Sequence, residues 1–291
     1  MTPLDYAADR QAVWSQTANM LKKRTDKVRR TVFSLSLAGA ILAAIATQLP
    51  SDTGLARWVA TIAGAVALTV AAFLSQRFLR KEANGRHLRA RAASEALKRE
   101  AYLYATQAGG YADAAGRDAL LVEKQRKIED NINDLVREEQ GAAGPGSTPR
   151  QQLTRDEYAA QRITKQIEWY RSRAKSYAAV ADKLHTAEWV LALAAAVITA
   201  SAGILGKVQG FDLAAVTAVL TTLGATIVAY LNATRYDDLV INYRAAARRL
   251  EQLMQTAPAG QPVGDFAAAA EGILEAENNA WVAVYTVAAA S

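Results

Sequence analysis

Reactive side chains are scarce in this chain, so any chemistry has to be sought among its hydroxyls. Cysteine is absent and histidine occurs twice, at His87 and His185. That removes thiol nucleophiles, disulfides, Cys-ligated zinc or iron–sulfur sites and a His-rich metal site. No Ser/His/Asp set, HExxH, Walker or GxGxxG motif occurs. We therefore expect no enzyme, cofactor or resident metal. Threonine is the residue that recurs with spacing. Thr217, Thr221, Thr222 and Thr226 fall on adjoining i, i+4 tracks over one side of a helix. In an apolar segment such hydroxyls line a wet pathway, bond back to the i−4 carbonyl, or hold helices together. Both pore lining and packing stay open. A second track is made of small residues, Ala60 with Gly64, then Ala67 and Ala71. It suits close helix approach and oligomer formation.

The elements that must position these residues are long and apolar. Of 291 residues, 51% are hydrophobic and 21% charged, but the two kinds are segregated. Four charge-free blocks, at about residues 31–49, 58–76, 189–205 and 213–231, are close to the ~20 residues needed to cross ~30 Å of hydrocarbon. Helices apolar on every face suit lipid better than a soluble bundle. The expected class is an all-α, multi-pass membrane protein: four spans in two tandem hairpins, with long amphipathic helices outside the bilayer forming a bundle. An apolar run ending in Ala44-Ile45-Ala46 resembles a leader-cleavage site. The helix-patterned stretch before it is too long for a short leader, so cleavage is not expected.

Charge sets the orientation. Lys22, Lys23, Arg24, Arg29 and Arg30 precede the first span, Arg77, Arg80 and Lys81 follow the second, and further basic clusters flank the third and fourth. The two short turns carry one basic residue each. The positive-inside rule then places both termini and all long segments in the cytoplasm of a bacterial inner membrane. These cations also attract anionic lipids. The pI near 9.5 is accounted for by that surface, so nucleic acid is not an expected partner. Both histidines lie among basic residues near the membrane and read as solvated surface groups.

The order charged helix, membrane hairpin, charged helix occurs twice, offset by about 155 residues; Trp14 and Trp169 each stand 17 residues before positions 31 and 186. Both hairpins enter and leave on one side, which makes the repeat parallel. We divide the chain into residues 1–140, a Gly/Pro linker at 141–154, and residues 155–291. Packing seams at spacings of 3 and 4 run through Ile163, Ile167, Tyr170, Ala174, Tyr177, Ala181 and Leu184. Similar seams run through Tyr236 to Leu253 and through Leu121, Ile128, Ile132 and Leu135 in a helix expected over 117–139. Apart from Gly85, nothing interrupts residues 58–107, which predicts one helix about 75 Å long at about 1.5 Å per residue. A last helix is expected over 265–290, with Trp281 and Tyr285 docking on the bundle.

A cytoplasmic helix with a Trp-Tyr or lone Trp, basic residues, a tight hairpin and a trailing amphipathic helix resembles the SLATT families. The residues that carry the likeness are Trp169-Tyr170-Arg171 with Lys175, and Tyr236-Asp237 with Tyr243-Arg244; Trp14 and Arg24 mark a diverged first copy. One such family is filed as a domain of unknown function. The resemblance implies a pore-forming or membrane-perturbing effector in bacterial conflict and phage defence, encoded beside synthases and sensors of nucleotide messengers. A nucleotide messenger or a sensor protein would be its trigger. Four slim helices leave little room for a conduit, so a homo-oligomeric channel gated by the bundle is the leading expectation. A non-conducting scaffold that recruits a partner through its coiled coil is the alternative. A small-solute transporter is a third, disfavoured because no span carries a charge.

Overall fold

The structure is a computed structural model. It describes residues 1–49, 53–79, 81–141, 146, 148–205, 207–208 and 211–287. The chain is an all-α, multi-pass membrane protein. Four of its helices contain stretches long and apolar enough to span a bilayer.

Local sequence explains where the helices start and stop. The Asp5 N–H donates to Thr2 Oγ1 and the Thr2 N–H donates to Asp5 Oδ2, each at 3.1 Å. Pro3 takes the first helical position, where its missing N–H has no role. From there α1 runs over Pro3–Gln48 without a break. Helix α2 covers Gly54–Phe78 and α3 covers Lys81–Ala105. Left-handed backbone at Gln107 (φ 55°) and Gly109 (φ 54°) ends α3. Helix α4 (Arg117–Asp130) passes into a 3₁₀ turn, Asn133–Glu138.

A capping box opens the second half: the Glu157 N–H donates to Thr154 Oγ1 and the Thr154 N–H to Glu157 Oε2. The short α5 (Arg155–Tyr158) continues through a π-helical stretch, Ala159–Thr164, into α6, Lys165–Leu205. A two-residue antiparallel ladder, β1 (Lys207–Val208) with β2 (Phe211–Asp212), lies between α6 and α7 (Leu213–Thr234). Helices α8 (Tyr236–Thr256) and α9 (Val263–Val287) complete the chain.

Two expectations need correction. Residues 58–107 are not one helix: α2 ends at Phe78, Leu79 adopts φ −105° and ψ 19°, and α3 starts afresh. Helix α2 buries Ala60, Gly64 and Ala71, whereas α3 buries Ala90, Ala93, Leu97 and Ala101. On one straight helix those stripes would point roughly 90° apart at about 100° per residue, and a break lets each be buried. The equivalent place in the second half is Arg235, at φ 54° between α7 and α8. The helix expected over 117–139 also stops early. Its 3₁₀ turn keeps Ile132 (4% exposed) and Leu135 (1%) on one face, because three residues make one 3₁₀ turn.

The chain forms two compact units, each drawing on both halves of the sequence. The first comprises Met1–Lys23, Lys81–Ser176 and Asp238–Ser291. Trp14, Ala18, Leu21, Ala90, Leu97, Ile132 and Leu135 form one of its clusters, and Leu4, Ala101, Tyr104, Tyr111 and Leu121 another. Helix α9 buries Phe266, Ala267, Ala270 and Leu274. Gly264 permits its close approach, since a Cβ there would stand 2.9 Å from the Gln107 carbonyl oxygen. The side chains of Trp281 and Tyr285 lie outside the described residues. The second unit, Arg24–Arg80 with Tyr177–Asp237, contains the spans. At most 17% of the most apolar window of any span is buried within the chain.

Candidate functional site

Within the membrane unit, α1 and α2 meet through glycine. A Cβ on Gly39 would stand 2.7 Å from Leu68 Cγ and 3.2 Å from the Gly64 carbonyl oxygen. One on Gly64 would stand 3.2 Å from the Gly39 oxygen and 3.3 Å from the Ala43 nitrogen. Of the small residues singled out in α2, Ala60, Gly64 and Ala71 are buried and Ala67 is half-buried. On α7, Thr217 and Thr226 are half-buried, whereas Thr221 and Thr222 are exposed. All four hydroxyls donate to the carbonyl four residues back, at 2.8–3.1 Å. The Thr217 hydroxyl also lies 3.3 Å from that of Thr199 on α6. Phe33 and Tyr230 stack with ring centroids 4.5 Å apart, and Tyr177 and Tyr236 at 5.2 Å.

The basic residues expected at the membrane surface are dispersed. Lys23, Arg24, Arg30 and Arg77 are exposed, and Arg29 pairs with Asp26 at 3.3 Å. Arg80 and the side chain of Lys81 lie outside the described residues. His185 sits 3.1 Å from Asp237 and 3.5 Å from Glu188. The Asp237 hydrogen bond first, then its charge and Glu188, raise the histidine's pKa above its ordinary value.

The first unit gathers the aromatics that carry the family likeness. Trp169, Tyr170 and Tyr243 form a three-ring cluster with centroids 5.2–5.4 Å apart, and the Tyr170 hydroxyl donates to Glu277 Oε2 at 2.9 Å. Burial pushes the Glu277 carboxyl above the usual carboxylate range, against the pull of Arg91. Arg171 pairs with Glu251 at 2.7 Å, whereas Arg244 is exposed. Trp14 lies elsewhere, 1% exposed in the core, with the Arg10 guanidinium 5.7 Å from its ring centre.

Beside Trp169 opens a cleft of about 310 Å³. Three helical faces line it. One is Ser15, Ala18, Asn19 and Lys22 on α1; the second is His87, Arg91, Ser94, Glu95, Lys98 and Tyr102 on α3. The third runs from Gln161, Arg162, Lys165 and Gln166 to Trp169, along the π-helical stretch and α6. Among the described residues, five cations thus face one carboxylate. His87 is 9% exposed and lines this cleft, which corrects the expectation of a solvated histidine; its position on α3 turns it into the unit rather than out to water.

Arg162 anchors the floor at 3% exposure. Its Nε and Nη2 donate to the two oxygens of Glu271 at 2.8 and 2.9 Å, and the Tyr158 hydroxyl donates to the same carboxylate at 3.1 Å. Among the described residues its Nη1 makes no hydrogen bond, and Glu95 Oε2 stands 4.0 Å away. Burial pushes the Lys98 ammonium below the usual lysine range, with Arg162 and Arg91 adding to the effect and Glu95 opposing it. Burial also pushes the Tyr102 hydroxyl up to about 12.

Comparison with known families now has a geometry to attach to. Residues 158–281 match the family described as SMODS and SLOG-associating 2TM effector domain 1, the first SLATT family. Residues 158–281 are therefore similar to a SLATT domain. Residues 12–119 match a second family, described as a protein of unknown function (DUF4231). No curated protein and no solved structure matches the chain.

The region that matches SLATT supplies the cleft's third face, the aromatic cluster and Glu271, while the region that matches DUF4231 supplies the first two faces. Both halves of the sequence therefore contribute to the cleft. Sequence reading found Lys22 and Trp169 but assigned them to the membrane surface and to the family pattern. It also took Arg91, Arg162 and Lys165 for cations flanking the spans, and it missed Glu95 and Lys98. The signal was present: each lining face is polar at spacings of 3 and 4, as in Arg91, Glu95, Lys98 and Tyr102. Three polar stripes on helices that are otherwise packed inward point to a shared wet cavity.

Proposed function

We propose that this SLATT-domain protein is an oligomeric channel or pore-forming effector of the bacterial inner membrane, with both termini in the cytoplasm. It would act in conflict and phage defence and be gated through its cytoplasmic helices by a nucleotide messenger or a sensor protein. The observation that carries the reading is the exposed hydroxyl face of α7, at Thr221 and Thr222, on spans that bury little within one chain. Large apolar residues such as Val59, Val66, Leu193 and Val197 are exposed on the same spans and suit lipid or neighbouring copies. Trp58 and Trp189, 62% and 76% exposed, stand at span ends where indole rings favour the interface. The reading assigns no catalytic step; the effect comes from assembly.

The test is solute release from liposomes holding the purified protein. Dye or ion efflux that changes when Thr221→Val and Thr222→Val are introduced together supports it. Sealed liposomes under every trigger tried, in the presence of a stable oligomer, overturn it. One observation favours the scaffold reading: each Thr hydroxyl on α7 is already bonded to its own helix. A scaffold would leave efflux at background and retain a specific soluble partner in pull-downs.

A further inference from the structure

The cleft in the first unit has the charge and the architecture of an anion site, and no part of the channel reading uses it. Five basic side chains, Lys22, Arg91, Lys98, Arg162 and Lys165, line about 310 Å³, with Glu95 as the one acidic lining residue among those described. Glu271 engages Arg162 from below, through Nε and Nη2, and leaves Nη1 of that 97%-buried guanidinium without a hydrogen bond among the described residues. A buried charged donor left incomplete is costly, and an anion in the cleft would offset the charge that the guanidinium carries. The excess does not depend on Lys22 or Arg91 being idle, since both have neighbours within the chain. It rests on the sign of the whole lining.

The backbone adds a second, independent observation. Arg162 sits in a six-residue π-helical stretch, Ala159–Thr164, between α5 and α6. Wide turns of this kind are rare and are frequently found at functional sites. Here the stretch carries the guanidinium at the floor of the cleft. The lining also mixes Ser15, Asn19, Ser94, Gln161 and Gln166 with the cations. Neutral donors among cations suit a polyoxygen anion that accepts many hydrogen bonds. The volume is at the small end of ligand pockets, sufficient for a phosphate group with an organic substituent or for two linked phosphates.

From this we infer that the cleft binds a phosphate-bearing small anion, held by Arg162, Lys98 and Lys165 with Lys22 and Arg91 at its sides. The inference stands on the cleft alone and is independent of the channel reading. Two sources supply this chemistry, a soluble phosphate ester and the headgroup of an anionic lipid.

Calorimetric titration of inorganic pyrophosphate into the full chain in phosphatidylcholine nanodiscs tests it without reference to conduction. Saturable binding is expected, weakening with added salt. It should fall at least about tenfold in Lys98→Met/Lys165→Met, from the loss of charge-assisted hydrogen bonds. Glu95→Gln should bind several-fold more tightly, a gain that misfolding cannot imitate. Repeating the titration in phosphatidylglycerol nanodiscs separates the sources. Loss of pyrophosphate binding there means that a lipid headgroup fills the cleft. Retention assigns the site to a soluble ligand. The absence of saturable binding in phosphatidylcholine, or equal affinity in all three proteins, overturns the inference and leaves the membrane assembly reading to its own efflux test.

Discussion

Arg162 and Glu271 illustrate how much one buried pair can govern. With 3% and 1% exposure, neither can turn to water if the other is lost. Glu271→Gln is expected to destabilise the first unit by about 3–5 kcal/mol, because it leaves a buried guanidinium uncompensated. Arg162→Met with Glu271→Leu should cost far less, and unfolding in detergent followed by circular dichroism compares the two. His185 gives a pH-dependent counterpart. Its folded-state pKa is raised, chiefly by Asp237, so its contribution to stability is complete below the unfolded value of about 6.5 and fades as pH climbs through the folded value. The destabilisation caused by Asp237→Asn should accordingly be small but larger at pH 5.5 than at pH 9, read as a difference in melting temperature. At this scale the residues that stood out in the sequence were of rare or paired types, such as Trp169, Tyr170 and Tyr243, which the fold brings into one cluster. Sequence reading failed for Arg162 and Lys98, because a lysine or arginine on a helix looks the same whether it faces water, lipid headgroups or a cleft made by two other helices.

Helices are where sequence was most informative. Four charge-free blocks have one physical meaning in a chain this charged, and the spans followed from it directly. Helix breaks were harder. Neither Leu79 nor Arg235 is a residue that disfavours helix strongly, and the need for a break comes from which stripe each neighbouring helix buries. The π-helical stretch was equally invisible, since its sequence, AAQRIT, has nothing that distinguishes it from α-helix. Contact between spans gives a clean test. Gly64→Leu should destabilise the first hairpin by about 1–3 kcal/mol through overpacking, because its Cβ would press on the backbone at Gly39 and Ala43. Gly224→Leu on α7, with nothing within 4 Å of its Cβ, should leave stability nearly unchanged in the same detergent melt. Thr221→Val should be equally mild, because the hydroxyl it removes serves its own helix.

Taken whole, the chain leaves most of its membrane surface uncovered, with as little as 0% of one span's apolar window buried. Bifunctional cross-linking in native membranes is expected to give a ladder ending at one discrete size; a monomer band alone would remove the basis for a shared conduit. The order of elements is similar in the two halves of the sequence. Each half sends a long helix into the membrane unit and brings a separate one back: α1 and α6 contribute to both units as unbroken helices, while the returning paths are interrupted at Leu79 and at Arg235. That asymmetry has a mechanical meaning. A shaft without joints passes torsion from one end to the other, whereas a coupling of one or two residues swivels and absorbs it.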